Sequence, residues 1–264
     1  MDSDSVKLAA EYLSRARTAH RRLDELAESI RPEDESEAYL VQRRLHKTLT
    51  QAGHGDAVGH KIGCTTPVMQ EFLGIPNPCA GAVFEPTVID EAGAVDFSSY
   101  LHVGVECELA VRLSRDLPGR AEPHTRDSVA GAVESVMCAI EIVDDRWLDY
   151  PGVSTATLIA DDFFGAGAVL GAPNAKWRSL DLGAISGGMS INGVSVGSGL
   201  GSDILGHPFE ALAWIANSLN GRRNRLRAGE FVLLGSLVQT VWVNKGDRVE
   251  INVEHLGQAS VLFK

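Results

Sequence analysis

The chain has 264 residues, 44% of them hydrophobic, which is enough apolar material for one large core or two unequal ones. A formal net charge of -11 and a single basic cluster, Arg222 to Arg227, give no basic face and so exclude nucleic acid as an expected partner. No stretch approaches the roughly 20 consecutive apolar residues of a membrane span, and no membrane partner is expected.

The opening segment MDSDSVKLAAEYL is acidic at its start and has no apolar core of signal-peptide length. Cys64, Cys79, Cys107 and Cys138 form no CxxC pair, so neither a zinc knuckle nor a redox motif is indicated. Free thiols with no export signal lead us to expect a cytoplasmic protein.

Taken in chain order, residues 5 to 28 have helical spacing through Val6, Ala9, Ala10, Leu13 and Ala16. After the break at SIRPEDES, a second helix is expected over Ser36 to Gln51, with Ala38, Val41, Leu45 and Leu49 on one face. Together they predict an N-terminal helical lobe over residues 1–55, followed by a second, strand-rich domain over residues 56–264.

GHKIGC reads as a strand entering a turn, and PVMQEFLG as a short helix closed by Gly74. PNPCAGAVFEPTVID is a loop with short strands. A strand follows over 103 to 113, then a helix near SVAGAVESV, then a strand MCAIEIVDD. Asn192-Gly193 in MSINGVSVG marks a hairpin. The Gly-rich run Gly197 to Gly206 lacks GK[ST] and is read as a loop, not a phosphate cradle. HPFEALAWIANSLNG is a helix with Pro208 in its first turn, Gly221 just past its end and His207 as its cap. RRNRLR then forms a solvated loop, and EFVLLGS, QTVWVN, DRVEINV and ASVLFK are strands. Regular βαβ alternation is absent, so the expected class is α+β and not a doubly wound parallel sheet.

Three carboxylates break the apolar pattern. In GVECELAVRL, alternation puts Val105, Cys107, Leu109 and Val111 on one face, and Glu106 and Glu108 on the other beside Gly104 and Ala110. In MCAIEIVDD the same rule puts Glu141 beside Ala139 and Val143. Like charges inside apolar strands cost free energy unless something compensates them. A divalent cation does so. Strand residues i and i+2 lie about 6.5–7 Å apart, close enough for glutamate oxygens to converge to about 2.0–2.1 Å from Mg2+. All-oxygen ligation favours Mg2+ or Mn2+ over zinc. The competing readings are a solvent face for the E-x-E pair and an ion pair of Glu141 with Arg146.

These segments, in this order, resemble the fumarylacetoacetate hydrolase superfamily, in its 2-keto-4-pentenoate hydratase and 4-oxalocrotonate decarboxylase branch. The resemblance is carried by GHKIGCTT, LGIPNPCAGAVF, VGVECELAV, AIEIVDD, LIADDFFGAGAVLG, GSDILGHPFEALAWIAN and LRAGEFVLLGSL. It implies a mixed β-roll with an N-terminal helical region, a homo-oligomer, Mg2+ or Mn2+ on Glu106, Glu108 and Glu141, and an active-site lysine at Lys61. Thr65, Cys79, Asp161, Phe163 and Ser236 fall where pocket residues are expected. The chain departs from the resembled hydratases at Asn77-Pro78-Cys79, where an aspartate is usual, and at Phe163-Phe164, where small residues are usual.

The resemblance implies a small 2-oxo acid substrate whose carbonyl a metal polarises, stabilising an adjacent enolate. Hydration of a 2-hydroxydienoate is the leading outcome. Vinylogous decarboxylation, carbon–carbon hydrolysis, and a supporting role beside a pathway enzyme are the alternatives. Lys61 is expected to anchor a carboxylate or move protons with a depressed pKa. Cys79 is either a pocket wall or a weak acid in place of the aspartate. Asp161 is expected to orient a pocket group. Asp162 is expected at the surface, Tyr39 and Trp147 in packing, and His60 in a structural role.

Overall fold

The computed structural model describes residues 1–66, 70–71 and 74–264. The helix expected in PVMQEFLG lies largely outside the described residues. Five α-helices and twelve strands are described: α1 (Ser3–Thr18), α2 (Glu35–Gln51), β1 (Ala57–Gly63), β2 (Cys79–Phe84), β3 (Val88–Asp90), β4 (Ala92–Val95), β5 (Val103–Leu113), α3 (Arg126–Ala130), β6 (Val133–Asp144), α4 (Thr155–Ala160), β7 (Gly165–Leu170), β8 (Ser186–Ile191), β9 (Val194–Leu200), α5 (Pro208–Gly221), β10 (Phe231–Trp242), β11 (Arg248–Val253) and β12 (Gly257–Phe263).

The strands form two mixed sheets, one of seven strands ordered β2-β1-β10-β5-β6-β7-β3 and one of five ordered β4-β12-β11-β8-β9. β5 lies between β10 and β6, antiparallel to both. The large sheet curls so that β2 comes back against β7. Inside the curl sits a compact apolar cluster of Val83, Ala110, Met137, Ala139, Ala168, Leu170, Phe231 and Leu233. On the opposite face Val105, Cys107, Leu109 and Val111 join the main core with Val249, Ile251, Val261 and Phe263 of the smaller sheet and Leu212 and Ile215 of α5. The α+β roll and the alternation in β5 and β6 are as expected.

The helices pack on this frame through the predicted stripes, Ala9, Ala10, Leu13 and Ala16 on α1 and Ala38, Val41, Leu45 and Leu49 on α2. These residues join the same core as the large sheet. Helix α1 ends at Thr18 rather than near residue 28, and His20 takes a left-handed φ of 50°. The apolar residues that prolong the pattern, Leu23 and Leu26, are buried in extended chain, with Leu23 bridging Trp147. The segment SVAGAVESV is helical only through Ala130, and Val133 already starts β6. EFVLLGS and QTVWVN form one strand, β10, with irregular register from Leu233 to Val241. The Gly-rich run is also divided: β9 runs through Leu200 and a 3-10 turn covers Gly201–Asp203. No described helix is long and apolar enough to cross a membrane. All four cysteines are free and buried.

Helix α5 begins as predicted, with the His207 imidazole accepting the Phe209 N–H at 3.0 Å through Nδ1. Removing a side-chain cap of this kind costs about 1 kcal/mol. In a chain of this size that corresponds to a melting shift of about 2–4 °C. His207→Ala is expected to lower Tm by that amount in thermal unfolding, and His207→Asp to keep it, since aspartate caps as well.

Candidate metal centre and pocket

The three glutamates converge inside the curled sheet. Glu106 and Glu141 stand opposite each other across the β5–β6 ladder, and Glu108 is opposite Ala139. One carboxylate oxygen of each lies within 4.8 Å of the others. Glu108 is 0% and Glu141 1% exposed and Glu106 is half-buried, so the E-x-E pair does not lie on an open solvent face.

Their polar partners are few. The Gly235 N–H donates to Glu108 Oε2 at 3.0 Å, and the Thr240 hydroxyl donates to Glu106 Oε1. Gly235 reaches that position with a left-handed φ of 126°, in the irregular part of β10, and a Cβ there would lie 2.6 Å from Thr65 Oγ1. Lys61, projecting from β1, places Nζ 3.0 Å from Glu141 Oε1. Among the described residues, Glu108 Oε1 and both Glu141 oxygens are buried without a hydrogen bond of good geometry. Buried carboxylate oxygens left in that state are costly.

The electrostatics point the same way. Burial, then Glu141 and Glu106, push the Glu108 carboxyl well above its ordinary range, against the Gly235 N–H and Lys61. Burial also pushes Glu141 up, to about 7, despite the opposing pull of Lys61. Burial alone would lower the pKa of Lys61, but Glu141 and Glu106 outweigh it and hold the ammonium above its usual value. This reverses the depressed pKa expected from sequence. One ammonium faces three carboxylates, so the lysine stays charged while the excess negative charge falls on the glutamates. A divalent cation would bring this set of groups to neutrality and supply the orphaned oxygens with a partner. The three all-oxygen donors therefore fit a hard ion such as Mg2+ or Mn2+.

Lys61, Cys79 and Phe163 meet beside Gly63. A Cβ placed on that glycine would lie 3.1 Å from Phe163 Cδ1, 3.3 Å from Cys79 Sγ and 3.3 Å from Lys61 Nζ. The Lys61 ammonium is 5.5 Å from the centre of the Phe163 ring. Cys79 is fully buried, 3.8 Å from Cys64 Sγ. Burial and the Cys64 thiol raise its pKa well above that of a free thiol. Such a thiol stays protonated and is a poor substitute for a carboxylate.

Ser236 and Asp161 bond to backbone and to arginines, not to Lys61 or the three glutamates. The Ser236 hydroxyl donates to the carbonyls of Cys107, at 3.2 Å, and Val238. Asp161 is 0% exposed and lies between two arginines. Arg17 Nε donates to its Oδ1 and Arg146 Nε to its Oδ2, each at 2.8 Å. Arg146 is thereby taken up by Asp161, and Glu141 pairs with Lys61 instead.

Asp162, expected at the surface, is fully buried. It meets His46 Nε2 at 2.6 Å, Arg17 Nη1 at 3.1 Å and the Ala82 N–H at 3.1 Å. Burial opposes its charge, but His46 and Arg17 prevail and hold its pKa far below the carboxylate range. Sequence reasoning also missed Arg17, His46 and Thr240. Only Arg17 had a local signal: it follows Leu13 by four residues and so continues the buried stripe of α1.

Residues 80–261 match the Fumarylacetoacetate (FAA) hydrolase C-terminal family. The chain belongs to the fumarylacetoacetate hydrolase family. It is 32% identical to a 2-hydroxyhexa-2,4-dienoate hydratase of Comamonas testosteroni, over 99% of this chain and 98% of the relative. It is 31% identical to a 2-keto-4-pentenoate hydratase of Paraburkholderia phymatum, again over 99% and 98%. A solved 4-oxalocrotonate decarboxylase from Pseudomonas putida G7, complexed with magnesium and adipate, superposes with a TM-score of 0.92 at 25% identity, covering 100% of this chain and 99% of the other. In this chain Glu106 and Glu108 stand on β5, Glu141 on β6 and Lys61 on β1, all strands of the large sheet.

Proposed function

We propose that the protein is a Mg2+-dependent hydratase of a small 2-hydroxydienoate acid, with Mn2+ as a competent substitute. Three converging glutamates beside Lys61, the half-buried Glu106 and the buried Glu108 and Glu141 whose oxygens lack hydrogen bonds of good geometry, support the metal centre. The hydratase relatives matched over nearly the whole chain support the reaction class. Glu106, Glu108 and Glu141 would hold the ion. Bound there, a divalent ion supplies Lewis acidity toward the carbonyl oxygen of a 2-oxo acid.

The chain's own groups do the rest. Lys61 carries a lasting positive charge at the end of the pocket and binds the substrate carboxylate. It also keeps Glu141 oriented toward the other two glutamates. Thr65 borders Gly235 and the Glu108 side of the pocket. Phe163 and the protonated Cys79 wall the lysine end and keep water from that side. Asp161 and Ser236 serve the pocket by fixing the backbone that presents Phe163 and the irregular segment of β10.

A second reading, decarboxylation of a vinylogous 2-oxo acid, is favoured by one observation. Cys79 stands where the resembled hydratases carry an aspartate, and a buried thiol with a raised pKa is a far weaker acid than the carboxyl it replaces. The two readings separate on the substrate 2-hydroxypenta-2,4-dienoate, followed by ultraviolet absorbance with Mg2+ and after chelation. Loss of the dienol signal that requires both protein and metal, with 4-hydroxy-2-oxopentanoate as product, is expected. Inertness toward this acid, together with carbon dioxide released from 4-oxalocrotonate, would replace hydration with decarboxylation.

A further inference from the structure

The segment Asp162-Phe163-Phe164 has three consecutive non-glycine residues in the left-handed region, with φ of 59°, 46° and 65°. A side chain disfavours this region at each position, so such a run persists only where surrounding contacts impose it. Arg146 holds Asp161 and the Gly165 carbonyl from one side, the Ala82 N–H bonds Asp162, and the helical lobe supplies the contacts that join the two aspartates. Arg17 bonds the Asp161 carbonyl through Nη2 at 2.7 Å, the Asp161 carboxylate through Nε at 2.8 Å, and Asp162 through Nη1 at 3.1 Å. His46, from α2, adds its contact with Asp162 at 2.6 Å. One guanidinium thus spans both aspartates at the entry to the turn. The first ring the turn presents is Phe163, which lies against the Lys61 ammonium.

We propose that Arg17 is a positioning residue for the reaction. Through Asp161 and Asp162 it holds the left-handed turn, and through the turn it holds Phe163 against Lys61. Loss of the guanidinium would leave two buried carboxylates short of a partner and release the turn toward ordinary backbone angles. The ring would then leave Lys61 and admit water beside the ammonium, although Arg17 touches neither substrate nor metal ligand. The kinetic part of this inference rests on the function proposed above.

A double-mutant cycle of Arg17→Met and Phe163→Leu tests it, alongside fluorine NMR of protein labelled with fluorophenylalanine. A misplacement of about 1 Å near a reacting group can cost about 10²-fold in rate. Each single variant is expected to lower kcat at least tenfold with Mn2+ affinity unchanged. The double variant should be no slower than Phe163→Leu alone, because contributions along one line of action are not additive. The Phe163 resonance, assigned by its loss in Phe163→Leu, should move in the Arg17 variant while resonances outside the turn stay in place.

Arg17→Lys provides a second variant in which the charge is kept and the fork is lost. It should reproduce the resonance shift even if Arg17→Met folds poorly. Rate losses that multiply in the double variant, or an unmoved Phe163 resonance in either Arg17 variant, would overturn the proposal. If the wild-type protein has no metal-dependent turnover, the proposed function fails, and the fluorine measurement alone decides whether Arg17 places the ring.

Discussion

Glu108→Gln is expected to make the metal-free protein more stable and the enzyme nearly inactive. Glu108 is buried beside Glu141 and Glu106, and it keeps one oxygen without a partner. In the absence of a cation that arrangement is repulsive. Glutamine is neutral without having to take up a proton, keeps the shape and still accepts the Gly235 N–H. A relief of about 1–2 kcal/mol is reasonable for a buried group of this kind. In a chain of this length it raises Tm by roughly 2–8 °C in chelator.

With Mg2+ present the order reverses. The wild-type protein gains stability with the logarithm of free Mg2+ over its dissociation constant, by mass action. The variant gains little, because one of its three anionic donors is gone. Several kcal/mol of charge stabilisation at the carbonyl oxygen are lost with the ion, and each 1.36 kcal/mol is tenfold in rate. Turnover should therefore fall by about 10³-fold. Thermal unfolding of both proteins with chelator and with Mg2+, together with kcat/KM, checks this. A variant less stable than wild type in chelator would mean that the three carboxylates are not a repulsive cluster.

Lys61→Met is expected to act in the opposite sense on stability. The ammonium is the only cation within ion-pair distance of Glu141 among the described residues. Breaking a buried pair by deleting one partner typically costs about 3–5 kcal/mol, because the other charge is left uncompensated. The metal-free variant should therefore melt roughly 6–20 °C below wild type. Mg2+ should restore much of that loss, since it gives Glu141 another cation. Activity should not return with stability, because the proposed function assigns Lys61 the anchoring of the substrate carboxylate. Glu108→Gln and Lys61→Met thus separate the roles of the two charges. The first variant is stable and does not respond to metal, whereas the second is unstable, responds to metal and is inactive. A Lys61→Met protein that recovers full turnover in Mg2+ would show that the lysine serves only to balance charge.

How much of this was legible in the sequence varied with the range of the interaction. The placement of Glu106, Glu108 and Glu141 followed from strand alternation alone, because a side-chain period of two is a local property. Lys61 carried no such signal. A lysine after a strand is ordinarily exposed, and only the resemblance marked it.

Asp162 was misread for a similar reason. An aspartate in a turn is ordinarily solvated, and nothing nearby in sequence shows that Arg17 and His46 arrive from helices more than a hundred residues away. Helix α1 was drawn too long because Leu23 and Leu26 extend the apolar pattern. They bury their side chains from extended chain instead, through the bridge to Trp147. β10 was read as two strands because Gly235-Ser236 interrupts the alternation. That interruption is what delivers the Gly235 N–H to Glu108. Local consistency therefore broke down beside the three carboxylates and at the turn that carries Phe163, where function can justify the cost.

The most direct measurement is a Mn2+ titration followed by electron paramagnetic resonance, with and without oxalate as a stand-in for the carboxylate and adjacent oxygen of a 2-oxo acid. One Mn2+ bound per chain, a spectrum that changes when oxalate is added, and loss of binding in Glu141→Gln are the predicted results. No bound Mn2+, or Mn2+ held equally well by Glu141→Gln, would contradict a metal centre built from Glu106, Glu108 and Glu141.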